Sequence, residues 1–397
     1  MAIHATHTHK TVLILLPMLL VGGTEVQTLN MVRVLIAAGY RVTVCCFHEV
    51  DGGVVRQFEE AGSPVISMGL QRSKGLGLFF YFLKLLFRLV AIIRREKPQI
   101  IHVQYVAPGL VPIVAARLAG VKVLLATVHY PGRPHGWKAK MLLRGAARLC
   151  RAFFCVSQSV ERSWFGDSLL FNPASVPRSR RHFTLYNGVD MAGIDRAVQK
   201  SQTQPPDILN GAVDQYPLIG VVGRLSYEKG QGVLLQAMVQ IVERFPDTHL
   251  VVVGDGRDRE SLQQKSQALA LGQHVTWLGR QNLEEVLTRL PSFDLLVVPS
   301  LFEGFGLAAV EAMACGTPVV ASKVDGLMEV IQDGVTGWLV PSGDAAALAE
   351  VMIAVLQNPE QRVKVGLAGQ GWVRGNFSME RYEQSLLAAY HHFSSIK

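Results

Sequence analysis

The chain has 397 residues, of which 49% are hydrophobic and 18% charged, and it carries a formal net charge of +8. A chain this apolar is globular rather than disordered, and its length predicts two domains because a single core rarely grows so large. The positive charge is compatible with three classes of partner: nucleic acid, an anionic membrane surface and phosphorylated ligands.

The cysteines indicate a protein of a reducing compartment. Their number is odd and none forms a C-x-x-C pair: they are Cys45, Cys46, Cys150, Cys155 and Cys315. Most lie in apolar surroundings, which favours buried free thiols over disulfides or metal ligands. We therefore expect a cytoplasmic protein.

The first apolar stretch, 11–21, imitates the core of a signal peptide. No A-x-A-like cleavage site follows it, and Gly22-Gly23 instead resembles a turn between a strand and a helix. We interpret 12–16 and 40–47 as two strands joined by that helix. The dinucleotide fingerprint G-x-G-x-x-G is absent from the turn. No segment contains 18 uncharged apolar residues, so no transmembrane helix is predicted.

The segment 72–97 has an unusual composition. Its centre, 76–93, is rich in phenylalanine and leucine, and basic residues flank it: Arg72, Lys74, Arg94, Arg95 and Lys97. Lys84 and Arg88 stand four positions apart and so share one helix face. One interpretation is an amphipathic helix that covers a sheet. The one we expect is a helix that lies in a membrane interface, with its cations on anionic lipid.

The rest of the first half alternates predicted strands with helical segments. The strands are expected over 100–104, 121–127, 152–156 and 182–185. This alternation indicates a doubly wound parallel sheet. His129 falls just beyond one of these strands. A basic segment, 138–151, follows it, either as a solvated helix face or as a second patch facing the same membrane.

The second half repeats this architecture after a polar stretch. Residues 199–215 include Pro205-Pro206 and predict a linker between a first domain, 1–198, and a second, 216–375. The predicted strands are 218–222, 249–253, 274–278, 294–298 and 317–321, and the predicted helices are 231–244, 258–271, 282–290, 306–315 and 345–357. The last residues, 376–397, contain a helix over 379–394 that we expect to cross back onto the first domain.

Marked loops follow the strands of the second domain. Gly223-Arg224 comes directly after the first strand, and Lys229-Gly230 soon after it. Two cations there would neutralise a diphosphate, with help from the amides of the next helix. Gly254 lies in a turn that lets a ligand approach the backbone, and Arg280 is a candidate for contact with a base. Exposed surface charge is the alternative interpretation of the cations.

Two carboxylates, Glu303 and Glu311, follow the fourth strand at a spacing of eight positions. Eight positions are a little over two helical turns, so at 1.5 Å per residue Glu311 would lie about 12 Å further along the helix than Glu303. This separation argues against a close pair of acids. It suits two ends of one extended ligand, such as a nucleotide with a diphosphate and a sugar. The alternatives are a residue at the helix start and a solvent-facing helix residue.

Together these residues resemble the family 4 glycosyltransferases of the GT-B fold. The resemblance rests on motifs along nearly the whole chain: Gly22-Gly23, His129, Asn187-Gly188-Val189-Asp190, Gly223-Arg224 with Lys229-Gly230, Gly254-Asp255-Gly256, and Glu303 with Glu311. It implies two Rossmann-like doubly wound domains that face a cleft, with the C-terminal helix packed on the first. It also implies a retaining transfer from a nucleotide-sugar, with no metal or other cofactor.

The resemblance also implies roles for individual residues. Arg224 and Lys229 would stabilise the leaving diphosphate. Glu303 would contact the hydroxyls of the donor sugar, and Glu311 would bind the ribose hydroxyls. The other implied contacts to the donor are Gly22, Gly23, Gly223, Gly254, Arg280, Phe305, Gly306 and Leu307. His129 would position the donor sugar at the reacting carbon; a structural loop histidine is the alternative.

The expected function is therefore a sugar transfer at the inner face of the cytoplasmic membrane, by a peripherally associated enzyme. The acceptor would be lipid-linked, a glycolipid or a polysaccharide, as in lipopolysaccharide synthesis. A soluble sugar or sugar-phosphate acceptor is one alternative, and a non-catalytic nucleotide-sugar-binding protein is another. No nucleic-acid recognition motif supports the remaining interpretation of the charge.

Overall fold

The computed structural model describes residues 10–71, 77–105, 109–204 and 217–395. The chain divides into two compact units. Unit 1 comprises residues 1–187 and 382–397, and unit 2 comprises residues 188–381. Each unit contains one parallel sheet with helices, as the alternating pattern predicted.

Unit 1 contains a seven-stranded sheet in the order β3-β2-β1-β4-β5-β6-β7, with every neighbouring pair parallel. Its elements are β1 (Thr11–Leu16), α1 (Gly23–Ala37), β2 (Arg41–Cys46), α2 (Gly52–Glu60), β3 (Val65–Ser67), α3 (Gly77–Glu96), β4 (Ile100–Tyr105), α4 (Val111–Leu118), β5 (Val123–Val128), α5 (Trp137–Leu149), β6 (Ala152–Cys155), α6 (Gln158–Phe165) and β7 (His182–Thr184). The central strands are buried on both faces almost throughout. Their sequences are therefore continuous apolar runs rather than alternating apolar and polar residues.

Unit 2 contains a six-stranded parallel sheet in the order β10-β9-β8-β11-β12-β13. Its elements are α7 (Met191–Thr203), β8 (Leu218–Val222), α8 (Gln231–Arg244), β9 (His249–Val253), α9 (Arg259–Ala268), β10 (Val275–Gly279), α10 (Leu283–Arg289), β11 (Leu295–Val298), α11 (Leu307–Ala314), β12 (Val319–Ser322), α12 (Leu327–Val330), β13 (Trp338–Val340), α13 (Ala345–Gln357) and α14 (Pro359–Asn376), and α15 (Met379–Ser395) crosses into unit 1. Every strand predicted for this half is present within a residue or two of its expected limits.

Both sheets reverse their strand order at one place. In unit 1 the reversal lies between β1 and β4, and in unit 2 it lies between β8 and β11. Ligands of open α/β sheets bind at such switch points, outside the carboxyl ends of the strands. The loops after these four strands are therefore where a site is expected.

The division between the units falls earlier than the sequence indicated. The expected first domain ended at 198, whereas unit 2 begins at Gly188 and includes α7. Within unit 2, Lys200 Nζ lies 2.6 Å from Glu284 Oε1, and Arg374 pairs with Asp195. These contacts attach α7 to unit 2, although the polar sequence at its end is typical of a linker. Residues 205–216 of the expected linker lie outside the described part of the chain.

Helix α14 is absent from the prediction because its sequence carries four glycines and little amphipathic pattern. Two of those glycines permit close packing. A Cβ on Gly366 would lie 2.5 Å from the carbonyl oxygen of Gly316, and one on Gly369 would lie 2.7 Å from that of Thr336. Glycine is usually unfavourable inside a helix, but here it lets the helix approach a neighbouring backbone.

The C-terminal helix α15 packs on the first sheet, as expected. Tyr390 is fully buried, and its hydroxyl lies 2.8 Å from Nδ1 of His102 on β4. The Phe393 ring packs against Phe154 and Phe171. The C-terminal helix thus contributes to the core of unit 1.

The five cysteines are all buried free thiols, which confirms that prediction. Burial raises the pKa of the Cys45 thiol to about 12. Such a thiol stays protonated at neutral pH and is a poor nucleophile.

Candidate active site

The loops after β8, β9 and β11 are held together by backbone contacts. The amide of Leu225 donates to the carbonyl of Asp255 at 3.0 Å, and that of Leu301 donates to the carbonyl of Glu228 at 2.8 Å. Gly254 (φ +137°) lies so close to the β8 loop that a Cβ would be 2.0 Å from the carbonyl oxygen of Gly223. The backbones of three loops therefore meet at the switch point of unit 2.

Glycine at position 230 allows the cationic loop to reach β11. Its φ is +68°, and a Cβ there would lie 1.9 Å from the carbonyl oxygen of Pro299. No other residue fits so close an approach in the left-handed region. The two residues of the predicted Lys229-Gly230 pair thus have different roles. Gly230 allows the loop to pack against the backbone of β11, and Lys229 supplies the positive charge.

Lys229 and Glu303 are in direct contact. Lys229 Nζ lies 2.7 Å from Glu303 Oε2, and the Ser300 hydroxyl donates to the same oxygen at 3.1 Å. The lysine side chain is 30% exposed and the glutamate 14%. The two residues were expected to meet different parts of one ligand, and the structure places them together, one fixing the other.

Arg224 lies on the solvent side of the same loop. Its side chain is exposed, and its carbonyl accepts a hydrogen bond of 2.9 Å from Gln231 Nε2 at the start of α8. The backbone of this residue is fixed while its guanidinium projects from the loop. Gly223, immediately before it, has a φ of +148°.

Glu311 lies nearer the start of its helix than the sequence indicated. Residues 303–306 form a loop and α11 begins at Leu307, so Glu311 is four residues into the helix, about 6 Å along its axis rather than about 12 Å. The expected distance counted all eight positions from Glu303 to Glu311 as helix, whereas the first four of them are a glycine-containing loop.

The Glu311 side chain is half-buried, and its carboxyl group is shielded from water. Burial raises its pKa to about 7. Within the described ranges, no hydrogen bond or ion pair reaches this carboxyl group. A deep carboxyl group with no compensating contact is costly to ionise, which is typical of a site that awaits polar ligand groups.

The first turn of α11 has no side-chain cap. Its N-cap is Gly306, with φ +95°, and its first residue is Leu307. The Phe305 side chain is buried, with its ring 5.3 Å from that of Phe377, so this residue faces the ligand edge only through its backbone. Uncapped amides at the start of a helix are a favourable site for an anion.

The other predicted donor contact of unit 2 lies further along the sheet. Arg280 directly follows the edge strand β10, two strands from β8. At about 4.8 Å per strand, this is about 10 Å from the cationic loop. The structure thus groups Gly223, Arg224, Lys229, Gly254, Glu303, Gly306 and Glu311 at the switch point and places Arg280 to one side of it.

The predicted residues of unit 1 lie at its own switch point. Gly22 follows β1 and is the N-cap of α1, without a side-chain hydrogen bond, and Gly23 is the first helical residue. His129 follows β5, where its Nε2 lies 2.7 Å from Gln104 Oε1 at the end of β4. Burial lowers the pKa of His129 to about 4, so the imidazole is neutral at pH 7.

Gln104 was not among the residues predicted from the sequence. It is 1% exposed and is nearly the last residue of an apolar strand. A polar side chain at the carboxyl end of a buried strand is a signal that could have found it, because such a position faces the ligand edge of the sheet.

Two family models match the chain. The model described as Glycosyltransferase Family 4 matches residues 21–192, and the model described as Glycosyl transferases group 1 matches residues 209–372. Between them they cover the switch-point loops of both units. The chain belongs to the family 4, group 1 glycosyltransferases.

Similar sequences in this family include two from actinobacteria. A phosphatidyl-myo-inositol mannosyltransferase of Mycobacterium leprae is 36% identical over 240 residues, which are 59% of this chain and 60% of that protein. A GDP-mannose-dependent monoacylated alpha-(1-6)-phosphatidylinositol monomannoside mannosyltransferase of Corynebacterium glutamicum is 28% identical over 306 residues, 74% of this chain and 76% of that one. The match to the M. leprae protein thus leaves more than a third of that protein uncovered.

A solved structure confirms the fold of this glycosyltransferase. The Anabaena protein Alr3699/HepE, in complex with UDP and glucose, has a TM-score of 0.77 with 22% identity, and the match covers 96% of this chain and all of that chain. The fold is therefore GT-B, with two parallel-sheet α/β domains as expected.

Proposed function

We propose that this chain transfers a hexose from a nucleotide-sugar to a lipid-linked acceptor at a membrane face, with retention of anomeric configuration. One observation carries the proposal: a cation–carboxylate pair, an uncapped helix start and an unpartnered deep carboxyl group lie around one switch point. These are the groups that a sugar, a diphosphate and a ribose require.

The cations and amides act on the leaving group. As the bond from the anomeric carbon to the phosphate oxygen breaks, negative charge grows on the diphosphate. Arg224, Lys229 and the first amides of α11 stabilise that charge, which is the task of a metal ion in other glycosyltransferases. Groups that stabilise charge developing in the transition state contribute about 3 kcal/mol each.

Retention of configuration requires attack on the face from which the phosphate leaves or a covalent intermediate. Glu303 is held by Lys229 and Ser300, which suits binding of sugar hydroxyls better than nucleophilic attack. We therefore propose front-face transfer. The acceptor oxygen bonds to the anomeric carbon as the phosphate departs, and a phosphate oxygen takes the acceptor proton.

Glu311 would hold the ribose. Two ribose hydroxyls can donate to its carboxylate and supply the polar contacts that the protein itself does not give. With a pKa of about 7, the Glu311 carboxyl group is readily protonated, and hydrogen bonds from ligand hydroxyls would favour its ionised form.

The names of the two relatives suggest the donor and the acceptor. Both sequence relatives are named mannosyltransferases acting on phosphatidylinositol lipids, and one is named for its dependence on GDP-mannose. GDP-mannose and a phosphatidylinositol-type glycolipid are therefore the first candidates for this chain. A soluble acceptor remains the alternative that the assay must distinguish.

The charge distribution supports a membrane acceptor. Residues 61–160 contain fifteen lysines and arginines and a single acidic residue, Glu96, although the whole chain has a net charge of only +8. Unit 1 thus has a net charge of +15 and unit 2 a net charge of −7, so all of the excess positive charge lies in unit 1. Such a surface attracts anionic lipid through many weak contributions of about 1 kcal/mol each.

Exposed apolar side chains accompany that charge. In α3, Phe79 and Phe80 are 65% and 70% exposed, and in α5, Trp137 and Met141 are 67% and 62% exposed. Helix α3 connects β3 to β4, and α5 connects β5 to β6. Both connections run in the same direction across the sheet, so right-handed crossovers place the two helices on the same face of it. Their first residues lie toward the carboxyl edge, the edge that carries Gly22 and His129.

No helix in the described part of the chain is long and apolar enough to cross a membrane. We propose that α3 and α5 instead insert their aromatic side chains into the interface while lysines and arginines meet lipid headgroups. Arg72 and Lys74, which were expected to take part, lie outside the described residues. Attachment of this kind would present a lipid-linked acceptor to unit 1.

A transfer assay tests the proposed function. The purified chain is incubated with labelled GDP-mannose or UDP-hexoses and vesicles that contain phosphatidylinositol, or with soluble inositol phosphates, in the presence of EDTA. We expect label to appear in the lipid fraction from one donor, undiminished by EDTA. Transfer to the soluble acceptor alone would establish the alternative, and hydrolysis or no turnover with every donor would contradict the proposal.

A further inference from the structure

The imidazole of His129 has one hydrogen-bonding partner and one open nitrogen. Its Nε2 lies 2.7 Å from Gln104 Oε1. Throughout the described ranges, no hydrogen bond to Nδ1 is found. A neutral imidazole carries a proton on one nitrogen only, so the partner at Nε2 determines whether Nδ1 is a donor or an acceptor.

The orientation of the Gln104 amide follows from its other contact. Gln104 Nε2 lies 3.4 Å from the Met31 sulfur on α1. A thioether sulfur can accept a hydrogen bond and cannot donate one, so the amide nitrogen belongs on the Met31 side. The carbonyl oxygen then faces His129 and requires a proton on Nε2.

We propose that Gln104 is a positioning residue for sugar transfer, which holds His129 as the Nε2–H tautomer and leaves Nδ1 as an acceptor for a hydroxyl group of the bound sugar or acceptor. The assignment of the tautomer rests on geometry alone. Its effect on catalysis rests on the proposed function. It adds a residue from β4, at the switch point of unit 1, to the machinery of the reaction.

The surroundings of Gln104 favour a single arrangement. Gln104 is 1% exposed, Met31 is buried, and the hydroxyl of Tyr390 also approaches the Met31 sulfur at 3.9 Å. With these neighbours, rotating the amide by 180° would set its oxygen against the Met31 sulfur and lose that contact. Buried amides that satisfy both ends hold one orientation far better than exposed ones.

A second buried histidine provides an internal comparison. His102, also on β4, contacts Tyr390 through Nδ1 at 2.8 Å and Thr127 through Nε2 at 2.8 Å. Both of its ring nitrogens are used by the protein, so it has no nitrogen left for a ligand. His129 differs in keeping one nitrogen free on the edge of the sheet where ligands bind.

The tautomer can be measured directly by nitrogen NMR of the whole chain labelled on its histidine rings. The chain has 12 histidines, and the His129→Asn variant identifies the signals of His129 by their loss. We expect a protonated Nε2, with a slowly exchanging proton, and an unprotonated Nδ1. A protonated Nδ1 in the wild-type chain would overturn the proposal, and this spectrum does not depend on any enzymatic activity.

The positioning role is tested by a double-mutant cycle. Gln104→Met removes the acceptor oxygen at nearly constant volume, and we expect it to lower kcat/KM about tenfold while affinity for the free nucleotide is unchanged. In a His129→Asn background the same change should have almost no effect, because Gln104 acts only through the histidine. An equal loss in both backgrounds would show that Gln104 merely supports the fold and would overturn the role.

The two experiments separate failure of this inference from failure of the proposed function. Gln104→Glu keeps an oxygen within reach of Nε2, and at pH 8 it should restore part of the activity lost in Gln104→Met. If the wild-type chain transfers no sugar, the proposed function fails while the spectrum still decides the tautomer. If transfer occurs and His129→Asn is fully active, the positioning role is overturned.

Discussion

At the scale of single residues, the two carboxyl groups of the site have different environments. Glu303 is paired with Lys229 and accepts from Ser300, whereas burial raises the pKa of Glu311 to about 7 with no hydrogen bond or ion pair to offset it in the described part of the chain. Sites whose acids differ in this way usually assign them different tasks. Two residue-scale predictions follow from this difference.

Nucleotide affinity should depend on the ionisation of Glu311. The free site has a pKa of about 7 for this group, and ribose hydroxyls donate to the ionised form. Binding should therefore be constant above about pH 8 and weaken by up to tenfold per pH unit well below 7. Calorimetric titration with GDP from pH 5.5 to 8.5 measures this, and Glu311→Gln should bind weakly with little pH dependence. Equal pH dependence in both proteins would contradict the assignment.

Loss of the half-buried cation should slow transfer more than loss of an exposed cation. Lys229→Met removes charge from the diphosphate and leaves Glu303 without its 2.7 Å partner, so kcat/KM should fall about 100-fold, equivalent to about 3 kcal/mol. The matched control is Lys200→Met, which breaks the exposed pair with Glu284 and should change kcat/KM by less than twofold. Steady-state kinetics with the active donor checks both, and similar values would remove Lys229 from the mechanism.

At the scale of elements, α3 and α5 have apolar residues on the surface for which the fold gives no structural reason. Exposed aromatic side chains beside lysines and arginines are costly in water and favourable at a membrane interface. The same helices bury other residues, such as Leu85 and Leu89 of α3, against the sheet. Each helix thus has one face for the fold and another for a second surface.

Replacing the exposed aromatic residues should therefore weaken membrane binding without affecting stability. The double variant Phe79→Ser with Phe80→Ser should reduce co-sedimentation with vesicles of phosphatidylcholine and phosphatidylinositol by about tenfold or more. Leu367→Ser, which replaces a residue 60% exposed on α14 of unit 2, is the matched control and should bind like the wild type. Unchanged binding of the Phe79 and Phe80 variant would contradict the proposed attachment.

A buried ion-pair network holds the end of the first sheet. Glu161 on α6 is fully buried, and its oxygens lie 2.8 Å from Arg180 Nη2, 2.7 Å from His182 Nδ1 and 2.6 Å from the Thr184 hydroxyl. Removing one member leaves buried polar groups without their partner, whereas loss of an exposed member has little effect.

The Glu161→Ala variant should therefore lose about 3–5 kcal/mol of unfolding free energy, measured by urea denaturation. Asp167→Ala is the control, because Asp167 contacts the same Arg180 but is 62% exposed. It should lose about 1 kcal/mol or less. Comparable losses in the two variants would show that burial does not determine the contribution of this network.

At the scale of the whole molecule, the sequence predicted the alternation of elements well. The limits expected for β8, α8, β9 and α13 agree with those observed, because long apolar runs and clear helix periodicity leave little choice. Helix α14 was missed because its glycines, placed for close packing, resemble breaks in a helix. The expected linker included the last residues of α7. This helix is rich in polar residues, so its sequence does not show that it packs on unit 2.

The sequence indicated which loops lie at the switch points but not the contacts between them. Arg224 and Glu311 follow predicted strands, so their place at the carboxyl edge of the sheet could be expected. The direct contact of Lys229 with Glu303 depends on the close approach of backbones that Gly230 allows. The contact of Gln104 with His129 depends on the pairing of β4 with β5. Such contacts join residues far apart in sequence, so only the assembled sheet reveals them.

The central claim is that unit 2 binds a nucleotide-sugar at the β8–β11 switch point. The most direct test is thermal unfolding of the wild-type chain and of Glu311→Ala, each with GDP, GDP-mannose and UDP-sugars. At a ligand concentration about 100 times Kd, binding should stabilise the wild type by about 2.7 kcal/mol, seen as a rise of several degrees in Tm, and the variant should respond weakly. A wild-type Tm that no nucleotide or nucleotide-sugar raises would contradict the claim.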